Sequence, residues 1–243
     1  DFQNNETVDD VAFLEDLISL FSADNSIDSD KVFCTGMSNG GDFCYLLACE
    51  ASESFLGVAP IAGMIMQDIM DDCNPSQNVG ILEIHGTQDN VTYYEGDVNN
   101  QDGWGAYPSI PGTIDFFVDM YGLALNSTGN FPNIVSNDGS TVSFEKYGVD
   151  EECAKVWLYT VNGGGHDWPG AYGNMDIESS REAWLFFDSL CESTSVIDMP
   201  GSEGDKKIQK ITDVLGREVS DRSPQILLYI YDDGSVEKKF VIE

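Results

Sequence analysis

Apolar residues recur along the chain with two spacings, one typical of helices and the other typical of strands. The helical spacing predicts amphipathic helices at residues 8–21, 39–49, 112–121 and 178–190. Short apolar runs between them predict strands at residues 31–35, 56–61, 79–85 and 155–161. Because strands that are separated by helices pair in parallel, residues 1–191 are predicted to form an α/β fold around a parallel sheet.

The pattern changes near residue 192. Residues 192–205 are small and polar and include Pro200, Gly201 and Gly204, which is the composition of a linker. Residues 206–243 alternate short apolar runs with turns, and an Asp-Gly pair between two such runs indicates a hairpin. We therefore predict a second, small all-β domain over residues 206–243.

Charge and hydrophobicity exclude two classes of partner. The 243 residues include 43 acidic and 11 basic side chains, which gives a net charge of −32. Such a chain repels phosphate backbones, so no nucleic acid is expected as a partner. The sequence contains no continuous apolar run that is long enough for a bilayer, so no membrane span is expected.

A serine between glycines carries the strongest chemical signal. Gly36, Ser38 and Gly40 follow a predicted strand directly and lead into the predicted helix at residues 39–49. A serine on a tight strand-to-helix turn needs small neighbours two positions before and after it, and the helix N-terminus stabilises developing negative charge. The same letters also occur in glycine-rich loops that have no catalytic function. The strand before and the helix after favour Ser38 as a nucleophile.

A catalytic serine needs a base, and the chain contains two histidines. His166 lies in a glycine-rich loop directly after a predicted strand, and we predict that it is the base. His85 ends an apolar strand and is expected to be structural, with its ring hydrogen-bonded near the end of the sheet. The third group should be a carboxylate that orients the base, and Asp89, just after a strand, fits. The order Ser38, Asp89, His166 is the α/β-hydrolase order.

Four segments together carry a family resemblance. They are Gly36-Met37-Ser38-Asn39-Gly40-Gly41, Ala59-Pro60-Ile61-Ala62-Gly63, His85-Gly86-Thr87-Gln88-Asp89 and Gly164-Gly165-His166-Asp167-Trp168-Pro169-Gly170. The chain thereby resembles the α/β-hydrolase esterases known as polyhydroxybutyrate depolymerases and feruloyl or acetylxylan esterases. The resemblance implies Ser38 as nucleophile, Asp89 as acid, His166 as base and the Asn39 amide as one oxyanion donor. It also suggests that Trp168 lines the acyl or sugar pocket, the alternative being a tryptophan that packs its own loop.

One part of the family pattern is missing from this sequence. In the family, a second oxyanion donor comes from a His-Gly loop on an early strand, but the His-Gly pair here, His85-Gly86, belongs to the acid segment. About one predicted helix and one predicted strand precede Ser38. We therefore expect an incomplete α/β-hydrolase sheet with its early strands missing, in an N-terminally truncated fragment of a longer hydrolase.

The cysteines and the acidic residues indicate few further sites. Cys34 and Cys44 lie on predicted buried elements and are expected to be free thiols. Cys49 and Cys73 are candidates for a disulfide, although six cysteines allow many other pairings. The acidic residues 97–103 lack the glycine and the glutamate of a calcium loop. Neither a metal nor an organic cofactor is expected.

The tail carries a second resemblance. It contains Asp213-Val214-Leu215-Gly216-Arg217-Glu218, Tyr229-Ile230-Tyr231-Asp232-Asp233-Gly234 and Lys238-Lys239-Phe240-Val241-Ile242. These segments resemble the C-terminal sorting domain of the type IX secretion system of Bacteroidetes bacteria. The resemblance implies export by the type IX secretion machinery and a secreted or cell-surface location in a bacterium. A small carbohydrate-binding β domain is the alternative.

These features predict a secreted serine esterase that works through an acyl-enzyme. Its partner is an ester substrate. The polymeric candidates are a polyhydroxyalkanoate and a plant cell-wall polysaccharide. A serine peptidase of the prolyl-oligopeptidase kind has the same triad order, and turnover of aminoacyl amides without turnover of p-nitrophenyl esters would favour it. A non-catalytic protein that binds a surface or a polymer is the other alternative, and undiminished polymer binding without ester turnover, even after the missing N-terminal strands are restored, would favour that one.

Overall fold

The computed structural model describes residues 8–24, 27–149, 154–190, 207–213, 225–231 and 236–241. The chain divides into two compact units, Asp1–Thr194 and Ser195–Glu243. The predicted linker at residues 192–205 lies outside the described residues.

Helices and strands alternate along the first unit. Its helices are α1 (Asp10–Asp24), α2 (Asn39–Glu50), α3 (Gln67–Asp72), α4 (Ile110–Tyr121) and α5 (Ser179–Ser189). Its strands are β1 (Phe33–Met37), β2 (Gly57–Ile61), β3 (Gly80–Gly86), β4 (Leu125–Asn130), β5 (Thr141–Tyr147) and β6 (Val156–Asn162). Each of the four predicted helices and four predicted strands is present, with ends that differ by a few residues.

The strands form one sheet in the order β1-β2-β3-β6-β5-β4. Strands β1, β2, β3 and β6 pair in parallel, which confirms the α/β fold. The sheet is mixed rather than wholly parallel, because β5 pairs antiparallel with β6 and β4 pairs antiparallel with β5. Strand β4 was not predicted because it has one apolar residue, Leu125, in six, and its side chains are mostly exposed at the sheet edge.

Apolar clusters cover both faces of the sheet. Neighbouring residues on a strand point to opposite faces, and Ile81 and Leu82 on β3 belong to different clusters. The cluster of Ile81 includes apolar side chains of α2 and α4, and the cluster of Leu82 includes those of α5. Strand β3 is therefore buried along its whole length between two helical layers, as expected for a central parallel strand.

Parallel pairing brings the carboxyl ends of β1, β3 and β6 to one edge of the sheet. The residues that follow these strands include Ser38, Asp89 and His166 respectively. Open α/β sheets bind ligands at this edge, because the loops that leave the strands converge there. The topology thus places all three predicted site residues at the expected edge.

A disulfide joins Cys49, in the last turn of α2, to Cys73, just after α3. This is the pairing that the sequence offered as a candidate. Cys34 and Cys44 are free, with their sulfur atoms 3.6 Å apart between β1 and α2.

The second unit contains three antiparallel strands in the order β7-β8-β9. They are β7 (Ile208–Asp213), β8 (Gln225–Tyr231) and β9 (Val236–Val241). Much of the segment that resembles a sorting domain, residues 214–218 and 232–234, lies outside the described residues. None of the helices in the described ranges is long and apolar enough to cross a bilayer.

Candidate active site

Ser38 occupies the turn between β1 and α2 in a conformation that residues with a Cβ rarely adopt. Its φ is 55° and its ψ is −123°, and such a backbone costs about 1–3 kcal/mol. The Ser38 N–H donates to the carbonyl of Ile61 on β2 at 3.0 Å, and the Ser38 carbonyl accepts from the N–H of Asp42 at 2.9 Å. The strained turn is therefore held by both the sheet and the helix, as in a nucleophile elbow.

The two glycines that flank Ser38 are not equivalent. A Cβ on Gly36 would lie 2.6 Å from the backbone of Gly40, which is too close for any real contact. A Cβ on Gly40 would meet no atom of the described part of the chain within 4 Å. The sequence pattern predicted that small residues are needed at both positions, but the structure requires one only at Gly36. Gly40 takes part in the turn through its backbone, which lies against Gly36, and the turn does not require Gly40 to lack a side chain.

This asymmetry predicts that the same substitution, glycine to alanine, has different effects on stability at Gly36 and at Gly40. We expect Gly36→Ala to lower the free energy of unfolding by about 2–4 kcal/mol, because the new methyl group overlaps fixed backbone. Gly40→Ala lies inside α2 and should be neutral or stabilising by up to about 1 kcal/mol. Chemical denaturation of both variants tests the difference. Equal losses of stability would contradict the geometry of this turn.

Asn39 is the first residue of α2. Its backbone N–H therefore belongs to the amides that have no carbonyl partner within the helix. The N-terminal end of a helix also carries a partial charge of about +0.5. An oxyanion that forms beside Ser38 would meet both the amide and this charge, so the geometry fits the donor role that the resemblance implied for Asn39.

His166 and Asp89 are joined directly. The Nδ1 atom of His166 lies 2.7 Å from Oδ2 of Asp89. The other carboxylate oxygen of Asp89 accepts the N–H groups of Val91 at 2.8 Å and Thr92 at 2.9 Å. Asp89 is 5% exposed. The carboxylate is thus fixed by its own loop and has one oxygen left for the imidazole, which leaves Nε2 of His166 as the ring atom that can act on a substrate proton.

The loops that carry Asp89 and His166 are joined to each other by hydrogen bonds. The N–H of Gln88 donates to the carbonyl of Gly164 at 2.8 Å, and the N–H of Gly163 donates to the hydroxyl of Thr87 at 2.9 Å. A Cβ on Gly86 would overlap the carbonyl of Gly164. The two loops can approach this closely because glycines lie at their contact.

A cavity of about 160 Å³ opens beside Ser38. Its lining combines the predicted nucleophile with polar and aromatic side chains that the sequence argument did not single out. The lining residues are Ser38, Asn39, Asp42, Met64, Val91, Thr92, Trp104 and Tyr107. Trp104 is 63% exposed and Tyr107 is buried, so an aromatic surface extends from the inside of the cavity to its mouth.

Proteins that are similar to this chain in sequence carry esterase names. Feruloyl esterase B of Piromyces equi is 30% identical over 162 residues, which cover 65% of this chain and 29% of that protein. A protein named probable feruloyl esterase C, from Aspergillus niger, is 31% identical over 184 residues, which cover 75% of this chain and 59% of that protein. The chain is a relative of esterases.

The extent of these similarities is limited. The chain spans 29% and 59% of the lengths of the two curated relatives. A solved acetyl xylan esterase from Aspergillus awamori has a TM-score of 0.46 and 13% identity, with coverage of 74% of this chain and 67% of that one. No protein-family model matches the chain.

Trp168 lies apart from the cavity lining. Its indole N–H donates to the hydroxyl of Ser180 on α5 at 3.3 Å, and its half-buried ring packs against the apolar cluster of Leu82. The suggested place of Trp168 in the acyl or sugar pocket stays a prediction. The tryptophan that lines the cavity is Trp104, which lies in a polar loop without any pattern that would have indicated it.

Asp42 is a buried acid in the cavity wall. It is 4% exposed, and one of its carboxylate oxygens accepts the N–H of Met64 at 2.7 Å. Burial raises the pKa of Asp42 to about 7, the Met64 hydrogen bond opposes this rise, and the charge of Glu83 adds to it. Asp42 lies four residues after Ser38, so helical spacing places it on the same side of α2 as the nucleophile and could have indicated it.

The raised pKa makes stability depend on pH. Because the folded state binds the Asp42 proton more tightly than the unfolded state does, this group stabilises the fold below about pH 4 and loses that contribution as the pH rises to about 7. We expect Asp42→Asn, which keeps the acceptor for Met64, to be more stable than the parent protein above pH 7, by on the order of 2–4 kcal/mol.

Unfolding curves at acidic and alkaline pH test this expectation. Asp42→Ala serves as the control, because it removes the charge and the hydrogen bond together and should lose stability at acidic pH. A stability difference between the parent and Asp42→Asn that does not change with pH would contradict the pKa of Asp42.

Proposed function

We propose that this protein is a serine carboxylic-ester hydrolase that works through an acyl-enzyme. The observation that carries the proposal is the 2.7 Å contact between His166 and Asp89, at the sheet edge where the strained Ser38 also lies. Nucleophile, acid and base in this chain order are the groups that such chemistry requires. The similarity to feruloyl esterases supports an ester rather than an amide as the substrate.

In the proposed mechanism, the hydroxyl oxygen of Ser38 attacks the ester carbonyl carbon while Nε2 of His166 takes the hydroxyl proton. The negative oxygen of the tetrahedral intermediate is stabilised by the Asn39 N–H and the positive end of α2. His166 then protonates the leaving alcohol, and water releases the acid in a second step. Asp89 keeps the His166 proton on Nδ1 and stabilises the imidazolium.

For the substrate, we propose an ester of an aromatic or small acid with a plant cell-wall polysaccharide. The curated relatives are named feruloyl esterases, and Trp104 and Tyr107 give the cavity an aromatic surface on which an aromatic acid or a sugar can stack. A polyhydroxyalkanoate is the second candidate substrate.

A comparison of substrates tests the proposal. The purified protein is assayed with methyl ferulate, acetylated xylan, a polyhydroxybutyrate film and an aminoacyl p-nitroanilide. We expect turnover of methyl ferulate or acetylated xylan and no release of the aniline. Turnover of the amide alone would establish a peptidase, and polymer binding without any turnover would establish a non-catalytic protein.

We further propose that residues 206–243 direct export by the type IX secretion machinery. The support is the resemblance of this tail to a sorting domain, together with its antiparallel strands. A reporter protein fused to residues 206–243 and produced in a Bacteroidetes host should appear in the medium or on the cell surface. Retention of the reporter in the periplasm would contradict the proposal.

A further inference from the structure

Asp42 lies in the wall of the cavity, one helical turn beyond Ser38. Its N–H donates to the Ser38 carbonyl at 2.9 Å, which places it in the first turn of α2. Four residues of a helix rise by about 6 Å. Both residues line the same cavity, so a group bound beside Asp42 would lie within about one helical turn of an ester carbonyl at Ser38. A small ester covers that span.

One carboxylate oxygen of Asp42 is used within the fold, and the other is not. Oδ1 accepts the N–H of Met64 at 2.7 Å. Within the described residues, Oδ2 accepts no hydrogen bond, and it is not one of the side-chain atoms there that are enclosed without a partner. Although Asp42 is largely buried, Oδ2 is therefore accessible from the cavity. The acid keeps a free acceptor where a substrate would bind.

The hydrogen bond to Met64 does not explain a carboxyl group at this position. An asparagine would accept the same N–H without bringing an ionisable group into the interior, where a charge is costly, and the nearby charge of Glu83 adds to that cost. The segment of Met64 is also held independently of Asp42, because a Cβ on Gly63 would lie 2.7 Å from the backbone of Gly41. Residues that are kept at a cost to stability concentrate at functional sites.

We propose that Oδ2 of Asp42 accepts a hydrogen bond from a hydroxyl group of the substrate, so that the cavity selects hydroxylated esters. This inference rests on the proposed serine-hydrolase function. A carboxylate and a carboxylic acid both accept a hydrogen bond from a hydroxyl group, so the inference does not depend on the ionisation of Asp42. A bound hydroxyl gives the buried side chain the partner that the fold does not supply.

The rest of the cavity favours a neutral hydroxyl over an anionic group. The described lining contains no lysine, arginine or histidine, so an anion would meet Asp42 without a compensating charge. Another polar group of the lining, the hydroxyl of Tyr107, already accepts the N–H of Tyr93 at 3.1 Å. In the proposed substrate, a phenolic acid carries a hydroxyl on its ring and a sugar carries several. The shared chemistry is therefore a hydroxyl, and its source is the acid or the alcohol.

The binding of three matched esters tests the inference and separates the two sources. They are ethyl cinnamate, ethyl 4-hydroxycinnamate, which has a hydroxyl on the acid, and 2-hydroxyethyl cinnamate, which has one on the alcohol. Dissociation constants are measured by ligand-observed nuclear magnetic resonance on Ser38→Ala protein, which cannot form an acyl-enzyme. We expect at least one hydroxylated ester to bind about fivefold more tightly than ethyl cinnamate, the contribution of one hydrogen bond. The ester that binds more tightly identifies the source.

Asp42→Ala, introduced into the same Ser38→Ala protein, should abolish this preference. The affinity for ethyl cinnamate should change by less than about twofold, because this ester makes no hydrogen bond to Asp42. A purely structural role of Asp42 would weaken all three esters alike and leave the preference intact. Asp176→Ala is the matched control and should keep the preference. Asp176 is also buried and accepts a backbone N–H, that of Ile134 at 2.6 Å, but it does not line the cavity.

Asp42→Asn provides a second variant that does not depend on the folding of Asp42→Ala. The asparagine keeps the acceptor for Met64 and replaces Oδ2 with an NH₂ group, which donates and cannot accept. A methyl ether accepts but cannot donate. With Oδ2 present, the hydroxylated ester should therefore bind more tightly than its methyl ether, and in Asp42→Asn the two should bind equally.

The outcomes separate the inference from the proposed function, because binding to Ser38→Ala requires no turnover. Equal affinities for the three esters, or a preference for the hydroxyl that persists in Asp42→Ala or in Asp42→Asn, would overturn the inference. If ester turnover depends on Ser38 and no preference depends on Asp42, only the hydroxyl site fails. If the preference depends on Asp42 and turnover does not depend on Ser38, only the proposed function fails.

Discussion

Replacing Ser38 with alanine is expected to lower kcat for ester hydrolysis by about 10⁴- to 10⁶-fold, because no other group would form the acyl-enzyme. Alanine also has a Cβ, so the turn with a φ of 55° should keep its shape and stability. Initial rates with p-nitrophenyl acetate, measured at matched enzyme concentrations, test this expectation.

Ser179→Ala is the control for this change. The hydroxyl of Ser179 is buried on α5 and has no hydrogen-bond partner among the described residues, so its removal breaks no polar contact there. We expect this variant to retain the rate of the parent protein. A Ser38→Ala protein that is folded and retains the parent rate would exclude Ser38 as the nucleophile.

Asp89→Asn should cost about 10⁴-fold in kcat. The asparagine can still accept the N–H groups of Val91 and Thr92, so the loop should remain in place. Its amide group would face Nδ1 of His166, where it donates a hydrogen instead of accepting one. The imidazole would then carry its proton on Nε2, the atom that must accept the proton of Ser38. Steady-state kinetics together with thermal unfolding separate this effect from a loss of folding.

The chain offers a close control for this substitution as well. Asp176 is also buried and accepts two consecutive N–H groups, those of Ile134 at 2.6 Å and Val135 at 2.9 Å. Asp176→Asn should therefore change stability by a similar amount and leave kcat unchanged. If both variants lose activity equally, the loss comes from disturbed folding and Asp89 has no special role.

The sequence predicted those elements whose pattern of apolar residues along the chain matches their burial in the fold. Continuous apolar runs indicated the central parallel strands, because strands buried on both faces contain few polar residues. The predicted site residues could be assigned to one edge of the sheet because parallel strands end there and polar or glycine-rich segments follow them. For that reason the close contact of Asp89 with His166 was expected from residues 77 positions apart in sequence.

Other parts depend on contacts that a local pattern does not encode. Strand β4 is mostly polar and exposed, and it is a strand because it pairs with β5. Trp104 lies in the cavity lining because an irregular loop places it there, and no local sequence pattern encodes the course of that loop. Glu83 is a charged residue within an apolar strand, and its partners, Tyr45 on α2 and His85, become apparent only when the helix is packed on the sheet.

Covalent labelling with phenylmethylsulfonyl fluoride, followed by peptide mapping, tests the central claim most directly. The reagent forms a stable sulfonyl ester only with a serine that is activated by a base and an oxyanion site. We expect one adduct per chain, on the peptide that contains Ser38, and much slower labelling of Asp89→Asn. A protein that is shown to be folded by thermal unfolding and is not labelled at Ser38 would contradict the account.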